Sequence, residues 1–181
     1  MVTGSASSIV GTLPQDGVYD NPLIWADHEE INKPNEKAKL LGERTMWNTV
    51  TRLQNEEQSQ LKFCSILPYF MVGPPLLQNH ATTNSSCQAI LSNIRNELQV
   101  YPNVSLPSVD VRDVANAHVF AALELPNRND RFLINSESIW YKDLVQILIE
   151  NQDKIGYPNK IQSREIGYMT LKLGSFVYSD L

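Results

Sequence analysis

SVDVRDVANAHVFAAL, Ser108 to Leu123, carries a strand-to-helix transition within one short stretch. From Asp113 onward, Val114, Ala117, His118 and Ala121 fall at i, i+3, i+4 and i+7, which is one face of a helix. Asp113 lies in the first turn, where a carboxylate suits the positive end of the helix dipole. Asp110 and Asp113 therefore read as a turn residue and a helix cap, not as a catalytic carboxylate pair. Upstream, Lys62 to Val72 is nearly continuous in apolar residues, as expected of a strand covered on both faces, and Gly73-Pro74-Pro75 ends it. Val2-Thr3 is a strand stub and Arg131 to Asn135 a short strand. Lys37 to about Leu53 is a helix with Leu40, Trp47, Val50 and Gln54 on one face and Pro34 just outside its start. Ser86 to about Leu98 is a second helix. Tyr141, Leu144, Val145 and Leu148 repeat the i, i+3, i+4, i+7 spacing for a last one. Residues 12 to 36 lack any period and read as a long surface loop. These periodicities predict one mainly parallel sheet with helices packed on it or gathered in a small lobe, in a single domain over 1–181.

Composition narrows the function. The 181 residues are 42% hydrophobic and 19% charged, an ordinary globular composition. A net charge of -5 without clusters of Lys or Arg argues against nucleic acid. The longest apolar run, Ile66 to Val72, falls far short of the roughly 20 residues of a spanning helix. With no secretory signal, the expected location is intracellular and cytoplasmic, an organellar complex being the alternative. His28, His80, Cys64 and Cys87 have no metal-ligand spacing, so no metal is expected, and Cys64 reads as a small buried apolar residue.

PNEKAKLLGERTMW (Pro34 to Trp47) resembles the P-Y-x-x-S-K-x-x-x-E-x-x-A-W segment of extended short-chain dehydrogenase/reductases, in the branch of dihydroflavonol reductases, cinnamoyl-CoA reductases and fungal aldehyde/ketone reductases. VTGSAS (Val2 to Ser7) resembles V-x-T-S-S-x-A, and SILPYFMVGPPL (Ser65 to Leu76) resembles I-x-P-x-x-V-x-G-P. TTNSSCQAIL (Thr82 to Leu91) resembles the N-x-S helix opening. SVDVRDVANAHVFAAL resembles Y-V-D-V-R-D-V-A-x-A-H, and RFLINSESIWYKDLVQILIENQ (Arg131 to Gln152) resembles the R-Y-L…D-L-V-x-x-L run. The resemblance implies an α/β fold: a partial Rossmann-type parallel sheet with flanking helices and a small substrate-side lobe. The N-terminal half of the fold, with its adenine-binding strands, is missing on this reading.

The chemical signal is uneven. The resemblance implies that Ser5 orients a substrate carbonyl, that Lys39 holds the nicotinamide ribose, and that Pro68, Tyr69 and Met71 pass the nicotinamide. The family's proton-donating tyrosine falls on Asn35, and the serine before the lysine on Ala38. An amide donates hydrogen bonds but supplies no proton near neutral pH. Nor does the sequence contain G-x-G-x-x-G, G-x-x-G-x-x-G or G-x-x-x-x-G-K-[ST], the turns that bring a phosphate to a helix N-terminus. NADP(H) or NAD(H) is the implied cofactor, its binding weak or absent. Taken alone, Ser5 is also a serine of a Ser/Gly-rich turn, Lys39 a solvated helix lysine, and His118 a satisfied core histidine. Tyr69 is open as a replacement acid, though a strand tyrosine ordinarily packs. A triad of Ser5, His28 and Asp20 lacks a nucleophile elbow. The expectation is a degenerate, catalytically impaired carbonyl-reductase-like protein serving as a structural or assembly subunit, with a protein partner covering the incomplete sheet. The alternative is a fragment of an active NADPH-dependent dihydroflavonol/aldehyde-type oxidoreductase.

Overall fold

The computed structural model describes residues 1–10, 24–29, 31–77, 79–98, 100–102, 104–125, 129–156, 160–162 and 164–166; Asp20 lies outside them. In chain order the elements are β1 (Val2–Thr3), α1 (Ser7–Val10), α2 (Pro34–Glu56), β2 (Cys64–Pro68), β3 (Phe70–Val72), α3 (His80–Thr83), α4 (Ser85–Ile94), β4 (Val100–Pro102), β5 (Ser105–Asp110), α5 (Val111–Leu123), β6 (Asp130–Ile134), β7 (Glu137–Trp140), α6 (Tyr141–Glu150), α7 (Gln152–Ile155) and β8 (Arg164–Ile166). They fall into two compact units, Met1–Met71 with Val109–Ser136, and Val72–Ser108 with Glu137–Leu181.

The first unit is built on a parallel sheet of order β1-β2-β6, with Val2 opposite Ser65 and Cys64 through Pro68 opposite Asp130 through Ile134. The ladder continues past β1: the Gly4 N–H donates to Ile66 O at 2.8 Å and the Ala6 N–H to Pro68 O at 3.0 Å. The expected strand over Lys62 to Val72 is broken at Tyr69. Pro68 has no N–H to give, so a strand flanked on both sides ends there. Both faces of β2 are covered, as its apolar run implied. Ile66 joins Val109, Val114 and Ala121 in a core that Cys64, Met71 and Phe132 extend. Successive residues alternate faces, so Ser65 and Leu67, both fully buried, belong to the other side. There the Trp47 Nε1–H of α2 donates to Ser65 Oγ at 2.9 Å. Cys64 is a free thiol, pushed up in pKa chiefly by burial.

Helix α2 is longer at both ends than the spacing predicts, and Pro34 is its first residue, where a missing N–H costs nothing. Its buried positions are Leu40, Glu43 and Val50, so one of them is a carboxylate. Glu43 meets Arg131 of β6 in a bidentate pair, Nε to Oε1 at 2.8 Å and a terminal nitrogen to Oε2 at 3.1 Å. The two side chains are 1% and 4% exposed. Arg131 also donates to Ile24 O at 2.7 Å and lies 3.6 Å from the Trp25 ring centroid. Trp47 Nε1 lies 3.3 Å from Glu43 Oε1, and its ring meets Phe63 edge-on at 5.0 Å. Helix α5 is capped by Asp110, whose carboxylate accepts from the Arg112 N–H at 2.8 Å and from its guanidinium.

In the second unit, β5 and β7 pair antiparallel from Ser105 opposite Trp140 to Ser108 opposite Glu137, and β4 and β8 pair in parallel. Its core is Tyr141, Val145 and Ile161 with Ile94, Tyr101, Leu106 and Leu148, so the α6 periodicity is realised. Helix α4 is capped by the Asn84 side chain, which accepts from the Ser86 and Cys87 N–H groups. Asn93, fully buried, donates to Tyr141 Oη at 2.7 Å. Among the described residues no group of His, Cys, Asp or Glu is arranged to hold a metal, and no helix is long and apolar enough to cross a membrane.

Two of the charged contacts of the first unit are open to test. Glu43→Gln leaves the Arg131 guanidinium buried against a neutral partner and lowers stability by about 3–5 kcal/mol in denaturant unfolding. Replacing both with apolar residues (Glu43→Leu with Arg131→Met) recovers most of that loss, whereas a loss under about 1 kcal/mol would class the pair with exposed ones. Asp110, hydrogen-bonded first by the Arg112 side chain and then by its N–H, titrates at about 2. A folded value below the unfolded one means its contribution is full above the ordinary carboxylate range and is lost as pH falls toward 2. Carboxyl NMR titration checks this, and Arg112→Gln moves the midpoint upward.

Candidate functional site

Across the first unit, the ends of β1 and β2 and the first turns of α2 converge. A cavity of about 430 Å³ is lined by Val2, Thr3 and Gly4 on the strand side and by Ala38, Lys39 and Glu43 on the helix side. Parallel strands deliver their C-terminal ends to one rim, where an α/β sheet holds ligands. The local reason Gly4 suits this point is steric: a Cβ there would lie 2.7 Å from Leu67 Cδ2.

Ser5 comes next in the chain and is nearly buried. Its Oγ accepts from the Ser7 hydroxyl at 2.7 Å and the Ser7 N–H at 3.3 Å, which leaves its own proton to donate. Because Ala6 bonds to Pro68 O, Ser5 and Pro68 stand on adjacent strand ends. Lys39 is exposed on α2 and faces the cavity it shares with Gly4. Asn35, one turn earlier, is exposed in the first turn of the helix and is not among the residues lining that cavity.

One placement differs from its residue-type reading. Tyr69 is 43% exposed instead of packed, because the chain leaves the β2 ladder at that residue. Met71 turns into the core of Ile66 and Val109. His118 matches its reading as a satisfied histidine. Val114 O can only accept, so Nδ1 at 2.7 Å carries the proton, and Nε2 accepts from Thr3 Oγ1 at 2.7 Å. The ring thereby ties α5 to the strand that lines the cavity. Glu43, Arg131 and Trp25 do not stand out in the sequence as a set. A signal exists for the first: Glu43 lies three residues after Leu40 and four before Trp47, a charge on an apolar face.

No family model matches the chain. Tetraketide alpha-pyrone reductase 2 of Arabidopsis thaliana is 28% identical to it over 171 residues, 91% of this chain and 50% of that protein. A cinnamoyl-CoA reductase of Medicago truncatula is 33% identical over 123 residues, 68% of this chain and 34% of that protein. The chain thus spans half the length, or less, of these curated relatives. Among solved structures, the yeast methylglyoxal/isovaleraldehyde reductase Gre2 complexed with NADPH superimposes with a TM-score of 0.69 at 19% identity, over 94% of this chain and 56% of that one. The structure of gox2253 gives 0.73 at 21% identity, over 98% and 48%. With these reductases as relatives, and a sheet and helices that match theirs over about half their length, the chain belongs to the extended short-chain dehydrogenase/reductases.

Proposed function

We propose that this chain is a nicotinamide-dependent carbonyl-reductase-like polypeptide that lacks the proton donor of its family and acts as a structural or assembly subunit. The observation that carries the reading is the pairing of Asn35 with Lys39 on the first turns of α2. The lysine faces the cavity at the end of β1, and the position one turn before it is an exposed amide. In this reading Ser5 donates to a carbonyl oxygen, Lys39 holds the nicotinamide ribose, and Pro68, Tyr69 and Met71 belong to the segment that passes the nicotinamide. Asn35 offers a hydrogen bond where a proton is needed.

The cofactor is NADP(H) or NAD(H), supported by the NADPH bound in the Gre2 structure. Bound there, it would supply hydride. The residues present fit only its nicotinamide–ribose end, through Lys39 and the Pro68 strand end, since no glycine-rich phosphate turn occurs in the sequence. A protein partner is supported by the sheet itself. Among the described residues β1, two residues long, is bonded on one side only, to β2, and an open edge of this kind invites another strand.

The second reading, part of an active NADPH-dependent dihydroflavonol/aldehyde-type oxidoreductase, is favoured by the reductase relatives and by the free proton of Ser5. Turnover separates the two.

NADPH titrated calorimetrically into the purified chain gives a dissociation constant no tighter than about millimolar, since one lysine and a strand end supply too few contacts. A micromolar value overturns that expectation. Mixed with a complementary half of a family reductase, the chain reduces aldehydes at near-background rates. Asn35→Tyr in that mixture raises the rate by about 10²–10⁴-fold, the usual contribution of a tuned proton donor. Adding Lys39→Ala removes the gain, and normal reductase rates from the unmodified chain would establish the second reading.

A further inference from the structure

The first unit holds a second cavity, of about 450 Å³, lined by Trp25, Arg44, Trp47 and Asn48 together with residues at the start of β6. It shares no lining residue with the cavity at Lys39. We infer that it is a binding site for a small aromatic carboxylate, with its ring against the two indoles and its carboxylate on Arg44 and Asn48.

The walls are set before any ligand arrives. Trp47 is held by its Nε1–H on Ser65 Oγ at 2.9 Å and by its edge-on contact with Phe63. Trp25 is held by the Arg131 guanidinium, 3.6 Å from its centroid, and Arg131 is itself fixed by the buried pair with Glu43. Rigid aromatic surfaces bind flat rings at little ordering cost, and a volume of this size is ordinary for a small-molecule site.

The polar groups choose the sign. Arg44 spends one terminal nitrogen on Ala26 O at 2.9 Å, and a guanidinium has five donors to give. Its carbon lies over the Trp25 ring, 5.4 Å from the centroid, so the cation stands beside an indole that lines the pocket. Asn48 is exposed, one turn after Arg44 on α2, and makes no side-chain hydrogen bond among the described residues. A guanidinium and a neighbouring amide one turn apart form a two-point anchor for a carboxylate. Asp130 also lines the cavity and repels an anion near it, whereas the Arg44 guanidinium attracts one, so the charged end of the ligand goes to Arg44. A cationic or uncharged ring lacks this anchor.

The test is a titration of the whole chain with sodium benzoate, read at the indole N–H signals of its three tryptophans by NMR. Trp25 and Trp47 shift saturably with one dissociation constant while Trp140 stays still. Cyclohexanecarboxylate, without a flat ring, and benzyl alcohol, without a charge, bind at least about tenfold more weakly. Arg44→Leu weakens benzoate by about tenfold or more. Because Arg44 also holds Ala26 O, Asn48→Ala serves as the second variant; it removes an exposed amide and weakens benzoate several-fold with the spectrum otherwise unchanged. Equal shifts at all three indoles, no shift at Trp25 and Trp47 up to about ten millimolar benzoate, equal affinity for the comparison compounds, or an Asn48→Ala variant that binds as before would each overturn the assignment.

Discussion

A carboxylate and a guanidinium taken out of water together hold the first unit in register. Glu43 comes from the middle of α2 and Arg131 from β6, 88 residues apart in sequence, and they meet through two parallel hydrogen bonds with almost no solvent contact. Separating them strands a buried charge, a far larger penalty than loss of an exposed pair. The pair therefore permits one placement of α2 against the sheet. Trp25 stacks on the guanidinium, Ile24 O accepts a further hydrogen bond from it, and Trp47 bridges the carboxylate to Ser65 of β2. One ionic contact thus collects a loop, a helix and two strands.

That register has a functional consequence, because Glu43 is one turn beyond Lys39 on the same helix. Whatever fixes Glu43 fixes where the lysine stands relative to the end of β1. The strand side is set independently, by Gly4 and Ala6 bonding across to β2 and by His118 reaching from α5 to Thr3. The cavity at Lys39 is thus formed by two separately anchored walls. The same ion pair backs the Trp25 wall of the second cavity, so both pockets depend on it.

Much of this is legible in the order of residues. The period of Val114, Ala117 and Ala121 places them in the core, and the unbroken apolar run of β2 announces a strand covered on both faces. Asp110, read as a turn residue, is the cap of α5 in place of Asp113, and His118 is satisfied partly by Val114 O of its own helix, a local bond, and partly by Thr3 from far along the chain. The end of β2 at Pro68 is equally local, since it turns on a missing N–H, though the apolar run masks it. The short pairings of β5 with β7 and β4 with β8 carry no comparable pattern, because three or four residues are too few to show a period.

The sequence by itself determined which long segments are helices and strands, that the main sheet is parallel, and that the residue one turn before Lys39 is an asparagine. These rest on periodicity, on hydrophobic runs and on residue chemistry, all properties of neighbours along the chain. Only the tertiary structure decided that Glu43 and Arg131 pair, that Tyr69 stands in solvent, that Met71 turns inward, and that Trp25 and Trp47 wall a pocket beside Arg44. Such facts depend on which distant side chains share a desolvated space, and a buried charge declares its partner only once the chain has closed around both.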